Sequence, residues 1–202
     1  MGKINAAVQL TQNRFLNLFK LFAENKNEEP LEYLVASRAE KVDDLKAINH
    51  KKKADAVAIV AWHKESQRFI LLKQYRYAIG DYVYELPAGL VEDGEDVVTA
   101  AERELYEETG LKLTGVDRDC VFNSYFSSPG MTDETCTIVH CTAVGEVRSD
   151  YQERNEEIEV VMVDTDEMLR ILKKENVCMK TALIMIGLIL DQYFPRGKRI
   201  GE

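Results

Sequence analysis

Three glutamates, Glu104, Glu107 and Glu108, fall at i, i+3 and i+4 in a stretch, Asp96 to Thr109, that reads as one helix closed by Gly110. At about 100° per residue they share one patch of its surface, while Val97, Val98, Ala101 and Leu105 offer a face to bury. Carboxylates gathered in this way repel one another, and Arg103 alone cannot neutralise them. A helix that only bridges to solvent gains more from interspersed lysines, although a solvated acidic helix on an acidic protein is the plain alternative. A hard divalent cation bound through oxygen atoms resolves the repulsion. Just upstream, Gly89 and Gly94 flank an abrupt passage from strand to helix, where a missing side chain admits backbone conformations or close ligand approach that a Cβ would obstruct. The carbonyl oxygen of Ala88 is then a further candidate ligand.

The elements that must hold this patch are legible on both sides of it. Ala56 to Trp62 is a small and β-branched apolar run that reads as a mostly buried strand, returning through Lys64 to Gln67 into a second strand, Phe69 to Tyr77. Tyr82 to Leu86 follows and breaks at Pro87-Ala88-Gly89. Cys120 to Phe122, Thr135 to Ala143 and Ile158 to Val163 read as further strands, with the polar Asp117 to Asp119 leading into the first of them. Asp164 or Thr165 caps a helix near Glu167 to Lys174, and Lys180 to Tyr193 forms a closing helix. The first 45 residues form an appendage: Arg14 to Phe22, strand or helix by its pattern, and Leu31 to Arg38 pair as a short antiparallel sheet that needs the main body or another subunit to pack on.

The chain has 202 residues with 46% hydrophobic content, enough for one substantial core and too short for two full-sized domains. Lysine and arginine total 26 against 35 acidic residues, for a net charge of −9, which disfavours nucleic acid and anionic membrane surfaces as partners. Cys120, Cys136, Cys141 and Cys178 show neither the close pairs of a zinc site nor the density of a secreted disulfide scaffold. His50, His63 and His140 have no metal-ligand spacing, and Trp62 reads as core packing. The apolar stretch Ala182 to Leu190 falls well short of the ~20 residues that span a bilayer. Met1 to Asn5 lacks the pattern of a secretion signal, so a cytoplasmic location is expected.

At Gly89, five residues, Glu95, seven residues, Arg103-Glu104-Leu105, one residue, Glu107-Glu108, one residue, Gly110-Leu111, the sequence closely resembles the Nudix hydrolase family, whose box it fits at every constrained position. The resemblance implies an α/β/α sandwich with a mixed sheet over residues 46–202, preceded by a small antiparallel sheet over 1–45 that dimerises. It implies Mg2+- or Mn2+-dependent hydrolysis of a nucleoside diphosphate linked to another moiety. Glu104 and Glu108 would be the principal metal ligands, Glu107 would hold metal or its water, and Ala88 would give its carbonyl. Arg103 would orient the carboxylates, and Glu95 would brace the loop. Glu85 to Gly89 and Ser128 to Glu134 point to the ADP-ribose pyrophosphatase branch, with UDP- or GDP-sugars, or a non-catalytic nucleotide-binding regulator, as alternatives. By the same resemblance Arg76 contacts the diphosphate, as against a surface salt bridge. Arg38 is a candidate for contact across a homodimer, and Glu134 positions the ribose or its loop, as against local pairing. A late glutamate, best matched by Glu156 with Glu153 and Glu157 as alternatives, holds metal or orients water. One of Phe15, Phe19, Phe22 and Tyr33 would stack on the base in a partner's pocket, as against core packing for all four.

Overall fold

The computed structural model describes residues 1–51, 53–121, 124–152 and 156–193. They group into two compact units, Met1–Ala56 with Phe122–Thr137, and Val57–Val121 with Ile138–Glu202.

The first unit is built on an antiparallel sheet of β1 (Lys3–Gln9), β2 (Asn17–Glu24) and β3 (Pro30–Ser37) in that order. The ambiguous Arg14 to Phe22 stretch is a strand because Asn17, Phe19 and Leu21 alternate inward, the period of two that a half-buried sheet requires. Phe19 and Leu45 are fully buried there beside Leu21 and Val35. The sequence reading of two strands is corrected to three. β1 escapes notice because its polar and alanine-rich residues are mostly exposed, so the ladder to β2 holds it rather than an apolar face. A single 3-10 turn at Val42–Asp44 and the short helix α1 (Lys46–Asn49) follow. The later segment of this unit joins it through Ala36 N donating to Met131 O at 2.9 Å and Tyr33 Oη donating to Gly130 O at 2.7 Å.

The second unit carries the sheet β11-β5-β4-β10-β8, made of β4 (Ala56–His63), β5 (Arg68–Arg76), β8 (Lys112–Val116), β10 (Thr135–Val144) and β11 (Ile158–Val163). β6 (Asp81–Glu85) pairs with β5 and β7 (Ala88–Leu90) with β4, while β9 (Tyr125–Phe126) pairs with Thr135 and Cys136 at the start of β10, which belong with it to the first unit. The sheet is mixed. Pairs β5–β6, β5–β11 and β8–β10 are antiparallel, whereas β4 and β10 start together at Asp55 N to Thr135 O (3.1 Å) and end together at Lys64 N to Ala143 O (3.0 Å), and so run parallel. The Cys120 to Phe122 strand is corrected: Arg118–Cys120 is a 3-10 turn, Phe122 lies outside the described residues, and the strand after Gly110 is β8. Gly115 within β8, and its largely exposed residues, hide it from a pattern search.

Helix α2 (Val97–Thr109) packs on one face of this sheet, with Ala100, Ala101 and Leu105 against Val57, Ile59, Ala61, Ile70 and Val139. Helices α3 (Thr165–Lys174) and α4 (Met179–Tyr193) bury Met168, Ile171 and Met185. A strand covered on both faces needs apolar residues throughout, which is why β4 reads as an unbroken hydrophobic run. Asp96 caps α2 by accepting from Val98 N and Thr99 N, and Asp164 caps α3 through Glu167 N. Gly110 ends α2 at φ 73°, where a Cβ would stand 2.9 Å from Arg148 N. Gly110→Ala therefore meets both the left-handed cost of roughly 1–2 kcal/mol and a backbone clash. Urea denaturation should show a loss of at least ~2 kcal/mol, the upper end of that range before the clash is added.

Candidate active site

The acidic helix is held to the loop before it by one guanidinium. Arg103 Nε donates to Glu95 Oε1 at 3.0 Å and Nη2 to Glu95 Oε2 at 2.9 Å, so the pair is bidentate. Nη2 also donates to Leu90 O at 2.9 Å, and Nη1 to Glu104 Oε1 at 2.8 Å and Glu107 Oε2 at 3.2 Å. Glu95 Oε2 in turn accepts from Glu92 N at 3.0 Å, which fixes the loop's turn. The Arg103 bonds hold the Glu95 carboxyl below its usual range.

On the inner side of α2 the carboxylates are drier. Glu108 is buried, and its Oε2 accepts from Ala88 N at 3.0 Å. Burial pushes its carboxyl well above the ordinary range, against the Ala88 N–H that lowers it, and the charges of Glu104 and Glu156 push the same way as burial. The Glu104 carboxyl is also raised, first by burial and then by Glu107 and Glu156, with Arg103 opposing. The structure thus sets Glu156 within electrostatic reach of both glutamates. Gly89 makes this packing possible, since a Cβ there would fall 1.8 Å from the Glu104 carboxyl carbon. Ala88 to Asp93, Arg103, Glu104 and Glu156 line a cavity of about 560 Å³.

Arg76, at the end of β5, donates from Nε and Nη2 to the two oxygens of Glu85, each at 2.8 Å. Glu85 raises its pKa, and Glu108 adds to the rise through its charge. Arg76 and Glu85 line a second cavity of about 710 Å³ with Ile79, Asp81 and Cys178. In the first unit Arg38 Nε donates to Glu134 Oε1 at 3.0 Å, and the two border a pocket of about 240 Å³ with Lys46 and Asp133. Of the four aromatics, Phe19 is core, whereas Phe15, Phe22 and Tyr33 reach the surface.

The sequence-derived residues therefore fall in two places. Arg76, Ala88, Glu95, Arg103, Glu104, Glu107, Glu108 and Glu156 belong to the second unit, and Arg38 and Glu134 to the first. The alternative Glu153 lies outside the described residues, and Glu157 is hydrogen-bonded to Tyr82 Oη. Sequence reasoning missed two partners: Glu85 on Arg76, and Gln152, whose Nε2 donates to Glu108 O at 2.8 Å. Glu85 was visible only as part of a motif, and nothing in spacing links Gln152 to a residue 44 positions earlier. His63 and Cys141 stay outside this chemistry. His63 is buried between Ser66 Oγ and Gly145 O, and burial pushes the Cys141 thiol up to about 12.

Among the described residues no three His, Cys, Asp or Glu side chains form a ready-made metal cage, and Glu104 and Glu107 are bonded to Arg103 instead. The donor set nonetheless suits a hard divalent cation: oxygen atoms only, two carboxyls lifted by burial and mutual repulsion, and a loop that a glycine keeps close to Glu104.

The model of the NUDIX domain matches residues 52–181, and the chain belongs to the Nudix family. It is 40% identical over 100 residues to the ADP-sugar pyrophosphatase of Mus musculus, covering 47% of this chain and 44% of that protein. It is 34% identical over 129 residues to the ADP-ribose pyrophosphatase of Bacillus subtilis (strain 168), covering 60% and 64%. The methanol dehydrogenase activator of Bacillus methanolicus is 31% identical over 126 residues, again covering 60% and 64%. The chain thus spans 44% to 64% of the length of these three curated relatives.

The raised Glu108 carboxyl has a thermodynamic sign. A folded state that keeps a proton the unfolded chain releases loses stability as pH rises from the unfolded value, about 4.3, toward the folded one. Without divalent cation, Glu108→Gln should therefore melt above the parent protein at pH 7–8, with the gap closing below about pH 4, where both forms are neutral. A parent protein that is the more stable of the two at pH 8 in chelator would contradict this.

Proposed function

We propose that this chain hydrolyses the diphosphate of ADP-ribose or a related nucleoside diphosphate sugar, giving nucleoside monophosphate and sugar phosphate. The observation that carries the reading is the buried Glu108 and the partly buried Glu104 set against Ala88 and the glycine of the preceding loop. Two relatives named as pyrophosphatases of ADP-ribose and ADP-sugars support the substrate class.

Glu104, Glu107, Glu108 and the Ala88 carbonyl would hold Mg2+ or Mn2+. Bound there, such an ion draws electron density from phosphorus and lowers the pKa of water. The chain's own groups do the rest. Arg76 turns its donors from Glu85 to the diphosphate oxygens, a match of planar fork to phosphate. Arg103, fixed by Glu95, keeps Glu104 and Glu107 oriented. Glu156 takes the proton that the attacking water loses as its oxygen joins phosphorus, and the bridging P–O bond breaks with its electron pair leaving on the departing phosphate. Arg38 makes its contact across the homodimer, and Glu134 positions the ribose or its loop. Residues 1–45 form a dimerising sheet and 46–202 the catalytic domain, and an exposed aromatic of that sheet stacks on the base in a partner's pocket. A cytoplasmic setting suits a nucleotide substrate, and no described helix is long and apolar enough to cross a membrane.

A panel of ADP-ribose, UDP-glucose, GDP-mannose and dinucleotides, with Mg2+, Mn2+ or chelator, tests the substrate. ADP-ribose should be cleaved fastest, and only with metal. A folded, metal-loaded protein that cleaves none of them would overturn the reading, and preference for UDP- or GDP-sugars would move it to that substrate class. Glu108→Gln should lower kcat by ~100-fold or more with the fold intact. Arg76→Ala should raise KM more than it weakens metal binding. Gly89→Ala displaces only the flexible end of Glu104, so its melting temperature should stay near the parent's while turnover falls on the order of 100-fold.

A further inference from the structure

Helix α4 has no charged residue between Lys180 and Asp191. Its inward side buries Thr181, Met185 and Ile189, and Thr181 Oγ1 accepts from Leu86 N at 3.0 Å. Its outward side is a line of Met179, Leu183, Ile186 and Leu190, which are 77%, 64%, 44% and 40% exposed. These residues step by four, three and four positions, the spacing that keeps side chains in one narrow seam. Beside the seam Gly187 leaves open space where a side chain would stand. A helix apolar on every side belongs in a core, and here half of that surface faces water.

We propose that this seam is a two-fold interface at which a second copy of the chain docks its own α4 antiparallel. Two features select that occupant. The four-three-four spacing reads the same from either end, so a two-fold axis between Leu183 and Ile186 sets Met179 opposite the partner's Leu190, and Leu183 opposite the partner's Ile186. The flanking charges are opposite, with Lys180 at the start of the seam and Asp191 at its end, so the same axis draws each lysine toward the partner's Asp191. A parallel pairing would instead set Lys180 level with the partner's Lys180. Antiparallel helices also oppose their dipoles. Two chains of charge −9 repel at a distance, and an uncharged seam with a matched charge at each end is a surface on which they can still meet. The interface is independent of the hydrolytic reading and of the amino-terminal sheet.

Light scattering on the full chain at tens of micromolar tests it. Leu183→Glu with Ile186→Glu should halve the measured mass, from dimer to monomer, or from tetramer to dimer if the amino-terminal sheet also pairs. Circular dichroism should stay unchanged, since both positions are exposed. If the glutamates unfold the helix, the corresponding glutamine pair provides the same readout. Lys180→Asp should raise the dissociation constant roughly 5-fold, and adding Asp191→Lys on the same chain should restore it. A monomeric parent protein, or an assembly whose mass the double substitution leaves unchanged, overturns the interface. A charge swap that fails to restore affinity overturns the antiparallel register.

Discussion

Everything in the acidic site depends on one guanidinium shared between two pieces of chain. Arg103 sits on α2, yet three of its five contacts go to the loop, twice to Glu95 and once to the Leu90 carbonyl. The remaining two hold Glu104 and Glu107 on its own helix. A lysine could not reproduce this, because an ammonium is a point charge without a planar fork. The result is a loop and a helix that move as one piece, with the carboxylate positions fixed relative to the backbone of Ala88 and Gly89.

That constraint also explains where the electrostatic tension is stored. Arg103 offsets charge on the outer side of α2, where Glu95 is held in its ionised form. It does not reach Glu108, which lies deeper with the Ala88 N–H and, more weakly, the charge of Arg76 to favour its anion. A buried carboxylate is stable as an anion only with a compensating partner. The most buried glutamate of the helix is thus the one with the strongest demand for a cation, and the cavity beside it is lined by oxygen-bearing groups and bounded by Glu156.

The supporting fold follows from the same economy. β4 is apolar along its length because both of its faces are covered, and its place between β5 and β10 sets it in the middle of the sheet. β7 pairs with β4 and carries Ala88 and Gly89, so the loop that meets the carboxylates begins from a strand bonded to the middle of the sheet. The apolar seam of α4 is a departure from this pattern, since burial of one side did not remove the need to cover the other.

By itself the sequence determined the box, the helix that bears it and the end of that helix, because a helix period and a glycine that must take positive φ are local properties. It also determined β4, β5, β6, β10 and β11, whose apolar runs are dictated by burial. It left β1 and β8 unread, since each is held mainly by a neighbour's backbone rather than by its own side-chain pattern. The partnership of Arg76 with Glu85 and the bond from Gln152 to Glu108 were decided by tertiary structure alone. Those residues meet only once the strands have paired and α2 has packed, and no spacing along a chain encodes a distance that the fold creates.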